Sequence, residues 1–176
     1  SGAATMTNAA NDFGTVAVNA GAVNLVDANS LALGASNATT LRARALAGNL
    51  TVNGAITASG GGDSIVLAAG GNFINNVGAA VLNPGAGRWL VWSSNPALDT
   101  RNGLVPAFKQ YNATYGVTTV AGSGNGFLYT LAPFVTVALN GAVTKVYDGT
   151  TAATLAPANY SVSGAVDGDV VTANNP

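Results

Sequence analysis

Asn49-Leu50-Thr51-Val52-Asn53-Gly54 is a three-residue apolar beat set between turn residues. In extended chain Leu50 and Val52 fall on one face and Thr51 on the other. Asn and Gly tolerate the tight backbone needed to leave the strand at once. The beat recurs in Thr15-Val16-Ala17-Val18, Ser30-Leu31-Ala32-Leu33 and Ser64-Ile65-Val66-Leu67. Val16-Ala17-Val18-Asn19-Ala20-Gly21 is echoed by Leu50-Thr51-Val52-Asn53-Gly54, and Asn29-Ser30-Leu31-Ala32-Leu33 by Asp63-Ser64-Ile65-Val66-Leu67, both at an offset of 34 residues. Two echoes at one offset predict a repeat architecture. Sandwich strands run to about 5–6 residues, so shorter beats joined at corners favour stacked coils. Each coil of roughly 20 residues buries its apolar side chains only against its neighbours. The expected fold is all-β, a right-handed parallel β-helix over residues 1–96. Residues 11–92 would supply on the order of four coils, each rising about 4.8 Å. Ala17, Ala32 and Ala43 are expected to face a narrow interior. Asn19, Asn24, Asn29, Asn53, Asn75 and Asn76 are expected at corners, stacked into amide ladders.

Working outward, the character of the chain changes at Gly87-Arg88-Trp89-Leu90-Val91-Trp92-Ser93-Ser94-Asn95-Pro96. Trp92 shares strand parity with Leu90, and Trp89 lies on the opposite face. One tryptophan is therefore expected in the core and the other outside it, beneath the following segment. Residues 97–135 are read as an exit and capping segment that covers the open end of the solenoid. Its aromatics, with the tryptophans, are Phe108, Tyr111, Tyr115, Phe127, Tyr129 and Phe134. Closure of the solenoid end is favoured over a glycan-stacking platform. Residues 136–176 are read as an incomplete small β module or linker, with turns at Asp148-Gly149 and Asp167-Gly168. The Gly/Asn/Ala rhythm is already running at the first residues and the last module stops early, so a piece of a longer chain is expected.

Composition narrows the chemistry. Only 7% of the 176 residues are charged, with a net charge of −1, against about 25% in ordinary domains. That balance excludes an electrostatic footprint for nucleic acid or anionic membrane. Of the cations, Arg42 and Arg44 share a strand face as i and i+2. There is no Cys and no His, which removes disulfides, thiolates and the usual Ser–His and Cys–His nucleophiles. No run is long and apolar enough for a spanning helix, and no secretory leader opens the sequence. The acids are Asp12, Asp27, Asp63, Asp99, Asp148, Asp167 and Asp169, with no Glu. β-Helices host polysaccharide-cleaving enzymes with paired carboxylates, yet Asp12, Asp27 and Asp63 sit beside turn residues, where capping is the expected job. Gly60-Gly61-Gly62-Asp63 is a corner rather than a calcium roll, and Asp167-Gly168-Asp169 offers too few oxygens for calcium. No catalytic residue, metal ligand or cofactor is assigned. Asn37, Asn49, Asn112 and Asn159 open Asn-x-Ser/Thr triplets and are candidate glycosylation sites.

Two resemblances complete the reading. Gly71-Asn72-Phe73-Ile74-Asn75-Asn76, the run from Leu82 through Trp89 and Trp92 to Pro96, Phe108-Lys109-Gln110-Tyr111-Asn112-Ala113-Thr114-Tyr115-Gly116 and Gly124-Asn125-Gly126-Phe127-Leu128-Tyr129 resemble the late β-helix region of filamentous-haemagglutinin-like exoproteins. Val143-Thr144-Lys145-Val146-Tyr147-Asp148-Gly149-Thr150-Thr151 and the segment from Tyr160 to Val171 resemble small β modules named for Tyr-Asp-Gly. The resemblance implies a large bacterial surface adhesin, secreted by an outer-membrane transporter of the two-partner type that reads a region of the parent chain absent here. It implies a non-enzymatic stalk, secreted or held at the cell surface. The alternatives are a direct binding module for a host glycan or protein, or a β-helix carbohydrate-active enzyme. A haem-binding or toxin-bearing parent would leave this segment as scaffold.

Overall fold

The computed structural model describes residues 2–142, 144–152 and 154–173. The chain divides into two compact units, Ser1–Ala132 and Pro133–Pro176.

The first unit is a parallel β-solenoid of about six turns. The first coil carries β1 (Ala4–Met6) and β2 (Thr15–Val16). The second carries β3 (Ala22–Asp27), β4 (Leu31–Leu33) and β5 (Ser36–Ala38). β6 (Thr40–Ala45), β7 (Leu50–Val52) and β8 (Ile56–Ala58) make the third, and β9 (Asp63–Ala69), β10 (Phe73–Asn75) and β11 (Leu82–Asn83) the fourth. β12 (Arg88–Ser93), β13 (Phe108–Gln110) and β14 (Gly126–Tyr129) extend the longest sheet. That sheet has seven strands in the order β1-β3-β6-β9-β12-β14-β13. A four-stranded sheet (β10-β7-β4-β2) and a three-stranded sheet (β11-β8-β5) form the other two walls.

Each beat read in the sequence is a wall strand. Leu31 and Leu33, Leu50 and Val52, and Ile56 and Ala58 point inward and are buried, and the residue between them faces out. The interior is one apolar column that continues through Leu41, Ile65, Leu67, Phe73, Trp89 and Phe127. Burying a Val, Leu or Ile side chain contributes about 1.5–3 kcal/mol, and here only a neighbouring coil can supply the burial.

Three expectations are corrected. The offset of 34 residues is not the coil repeat. Val16 pairs with Leu33 and Leu33 with Val52, so Val16 lies two coils from Val52 rather than from Leu50. Leu31 belongs to the four-stranded sheet, and its echo Ile65 to the seven-stranded one. Coil length also varies: Val23 pairs with Leu41, Leu41 with Ile65 and Ile65 with Trp89. All three walls demand the same apolar alternation, so a sequence echo reports a wall without saying which one. Second, Ala17 and Ala32 face outward, because Val16, Leu31 and Leu33 take the inner positions; Ala43 is inside as expected. Third, the corner ladders are mixed. Asn49 N–H donates to Ser30 Oγ, Asn72 N–H to Asn49 Oδ1, and Ser94 Oγ to Asn72 Oδ1. Among the expected residues, Asn76 Nδ2 donates to Asn53 Oδ1 at 2.8 Å, whereas Asn24 lies mid-strand on β3.

Residues 97–135 do more than cap. Thr100 bridges to Ile74 of β10, so the chain after β12 still follows the solenoid wall. It then lays down β13 as the outermost strand, and β14 inserts between β13 and β12.

The second unit carries an antiparallel pair, β15 (Thr136–Leu139) and β16 (Tyr160–Ser163). Its turns sit where expected. Gly149 has φ 77°, and Asp167 and Gly168 have φ 57° and 70°, the left-handed region that Gly and Asp adopt most readily. Phe134 and Tyr147 are 81% and 94% exposed.

Candidate functional site

The outer face of the seven-stranded sheet changes character along the solenoid axis. Alternation puts Asn24 and Val26 outside on β3, Arg42 and Arg44 on β6, Val66 and Ala68 on β9, and Leu90 and Trp92 on β12. Over the second and third coils the face carries Asn24, Arg42 and Arg44 beside Val26, and beyond them it is apolar. A bulge at Arg88/Trp89, opposite Asp63 and Ile65, sets the final register. Ser64, the extra residue, is buried and donates through Oγ to Pro84 O at 2.8 Å.

The apolar part is covered by the connection from β13 to β14. Ala113 is buried there, and Phe108, Tyr115 and Val120 pack against Val66, Ala68, Leu90, Trp92 and Leu128. This crossover runs over the outside of the sheet instead of around the core. The two tryptophans consequently have nearly equal exposure, 2% for Trp89 and 5% for Trp92, but lie in different clusters. Trp89 packs inside the solenoid, edge-on to Phe127 at 5.3 Å. Trp92 lies outside it under the crossover, edge-on to Tyr115 at 5.5 Å.

Tyr115 marks where the cover stops. The Arg44 guanidinium lies 5.3 Å from its ring centroid, within range of a cation–π attraction. Two shallow hollows flank this pair. One is lined by Thr7, Asn24, Val26, Arg42, Arg44 and Tyr115. The other is lined on its far side by Leu46, Gly70, Thr114 and Thr130. Arg42 and Arg44 are both exposed. Among the described residues, Arg88 pairs with Asp63 and Lys145 with Asp148, whereas neither Arg42 nor Arg44 meets a carboxylate.

A second polar group sits where the core ends. Asp99 accepts from Phe73 N–H at 2.8 Å and from Ser93 Oγ at 2.7 Å. Burial pushes its carboxyl up to about 6, against those two hydrogen bonds and the nearby Arg101. Arg101 also lies over the Phe127 ring at 5.2 Å. Burial likewise raises the Tyr129 phenol above its usual range, opposed by Arg101. Tyr111 stacks on Tyr129 at 5.6 Å. No local sequence signal marks this group, because its members come from three coils.

The other residues singled out in the sequence fall in separate places. Asp27 accepts from Phe13 N–H and Asn29 N–H, and Asp12 from Asn29 Nδ2. Both act as corner caps. Of the candidate glycosylation sites, Asn37 and Asn112 are exposed. Asn49 and Asn159 are half-buried, and their side-chain oxygens accept from Asn72 N–H and Ala156 N–H. Of the eight aromatics from Trp89 to Phe134, Trp89, Phe127 and Tyr129 are core, and Phe108, Trp92 and Tyr115 form the outer cluster.

In the second unit the Tyr147-Asp148-Gly149 turn is clamped by Asp148. Its Oδ1 pairs with Lys145 Nζ at 2.7 Å and accepts from Thr150 N–H and Oγ1, each at 2.9 Å. The Lys145 contact and those hydrogen bonds hold the Asp148 carboxyl below its usual value. A family model described as the YDG domain matches residues 130–176. No curated protein and no solved structure matches the chain.

Proposed function

We propose that this chain is a structural segment of a secreted bacterial surface adhesin. In this reading the solenoid is stalk, and the module that follows is the first of the elements it carries. The seven-stranded parallel sheet carries the proposal. A ladder continuous from coil to coil resists bending because every coil is hydrogen-bonded to the next. Two further features support it: the YDG match over residues 130–176 and the resemblance of residues 11–135 to filamentous-haemagglutinin-like exoproteins. On this reading a two-partner-secretion transporter exports the parent chain through a region outside this one, and the segment works at the bacterial surface.

A scaffold rather than catalytic role is proposed, because the solenoid carboxylates are already engaged. Asp27 caps two backbone N–H groups, Asp63 pairs with Arg88, and Asp99 holds Phe73 and Ser93. Each is thereby held as an acceptor, whereas acid–base work needs a carboxyl facing substrate.

Antibodies raised against the whole chain test the reading. They are expected to label intact producing cells at a distance from the outer membrane in immuno-electron microscopy. Label confined to lysed cells overturns it.

A further inference from the structure

Beyond the contact of Arg44 with Tyr115, the described residues give the basic step on the long sheet no structural task. Arg42 and Arg44 leave β6 in the same direction, about 6.6 Å apart for two residues of strand. The sheet beneath them is already closed on its inner side by Leu41, Ala43 and Ala45. In a chain with six cations in all, these two stand together, exposed, and without a carboxylate among the described residues. Tyr115 is fixed from beneath by Trp92 and from the side by Arg44. Its ring is thus pre-positioned between the two hollows, which lowers the ordering cost of binding.

From this arrangement we infer that the outer face of the second and third coils binds a carboxylated polysaccharide. The two guanidiniums take carboxylates on successive parts of the chain, and Tyr115 lies against a sugar ring between or beside them. A guanidinium presents a planar fork of donors that matches a carboxylate bidentately. Asn24, Thr7, Thr114 and Thr130 line the flanking hollows with amide and hydroxyl groups, which suit a polyol. Two branched aliphatic residues line the first hollow, Leu25 and Val26, and Leu25 is buried in the solenoid core, so Val26 alone leaves little apolar surface there to anchor a peptide side chain. Charge density points the same way. Two cations on a chain of net charge −1 match a polymer with one carboxylate per sugar better than a densely sulfated one. The expectation that the occupant is a saccharide rests on the surface-adhesin reading, whereas the site itself rests on the Arg42–Arg44–Tyr115 geometry.

The test is binding of an oligogalacturonate to the immobilised whole chain, with a neutral dextran oligomer, heparin oligosaccharide and polyglutamate as comparison probes. Oligogalacturonate is expected to bind, and the Arg42→Gln/Arg44→Gln variant to lose at least tenfold. Tyr115→Phe keeps the ring and is expected to retain affinity, and Tyr115→Ala to lose several-fold. Lys145→Gln makes a single charge change elsewhere and is expected to bind as the parent does. Both arginines are exposed, so an unchanged urea midpoint by tryptophan emission confirms that the double variant is folded. The inference is overturned if oligogalacturonate does not bind, or if the double variant binds equally well. It is also overturned if polyglutamate or heparin binds more tightly than oligogalacturonate. Loss of the site with surface labelling intact removes this inference alone; labelling only on lysed cells removes the adhesin reading.

Discussion

Substituting Gly54 by Ala tests coil stacking at a tight corner. A Cβ at Gly54 would lie 2.3 Å from Ala35 N, 2.7 Å from Ala35 Cα and 2.9 Å from Gly34 C. All three are backbone atoms of the coil beneath, so no side chain can rotate away. Restoring van der Waals contact requires the corner to lift by about 1 Å, against a coil rise of about 4.8 Å. The bonds that flank the corner, Asn53 N–H to Leu33 O at 2.8 Å and Ser36 N–H to Ala55 O at 3.0 Å, stretch with it. Two weakened backbone hydrogen bonds at about 1 kcal/mol each, with overpacking strain of about 1–3 kcal/mol, predict a loss of about 3–5 kcal/mol. Gly61 is the control: a Cβ there meets nothing within 4 Å, and its φ is outside the left-handed region. Gly61→Ala is expected to be neutral or to stabilise by about 0.4–1 kcal/mol through the unfolded chain. Equilibrium urea unfolding of the whole chain, read by tryptophan emission, measures both, because Trp89 and Trp92 both lie in the first unit. If Gly54→Ala costs under about 1 kcal/mol, or no more than Gly61→Ala, the corner is not stacked as described.

Three other predictions concern the core end, the crossover and the modification sites. Asp99 has a folded-state value raised to about 6 from 3.8, so the folded state binds the proton more tightly and the first unit gains stability as pH falls from 7.5 towards 4. The shift corresponds to about 3 kcal/mol at most, and solvent screening of this half-buried group reduces it to about 1–2 kcal/mol. Asp99→Asn is expected to flatten this dependence and to raise the midpoint at pH 7.5; an unchanged pH profile refutes the assignment. Tyr115→Ala removes the edge of the cover, so in a Trp89→Phe background Trp92 emission should shift red and quench more readily with acrylamide. In a Trp92→Phe background Trp89 should be unaffected, and equal responses would contradict two separate clusters. Glycopeptide mapping of native material is expected to place any sugar on exposed Asn37 or Asn112; occupancy at Asn49, whose Oδ1 holds Asn72 N–H, would show that this corner opens.

Much of the fold was legible because side-chain alternation is a local property. Leu50-Thr51-Val52 between Asn and Gly declared a short wall strand, and the same grammar separated Trp89 from Trp92 before any contact was known. It also placed Arg42 and Arg44 on one face. The mistakes came where local grammar repeats without distinguishing walls. The echoes at 34 residues link Leu31 to Ile65, which occupy different sheets, and Ala17 has the size of a core filler although Val16 holds the inner position.

The sequence alone determined that short apolar beats must coil and stack, since no single beat buries itself, and it set which residues share a strand face. The tertiary structure decided how the coils align, because corners of unequal length separate residues that must be neighbours. It alone placed β14 between β12 and β13, sent the crossover over the outer face, and gathered Asp99, Ser93, Phe73 and Arg101 at one end of the core. It also decided where the cover stops, leaving Arg44 against Tyr115 and the basic step open. The physical reason is range: alternation is fixed by adjacent Cα geometry, whereas register between coils is fixed by packing and hydrogen bonds between distant residues.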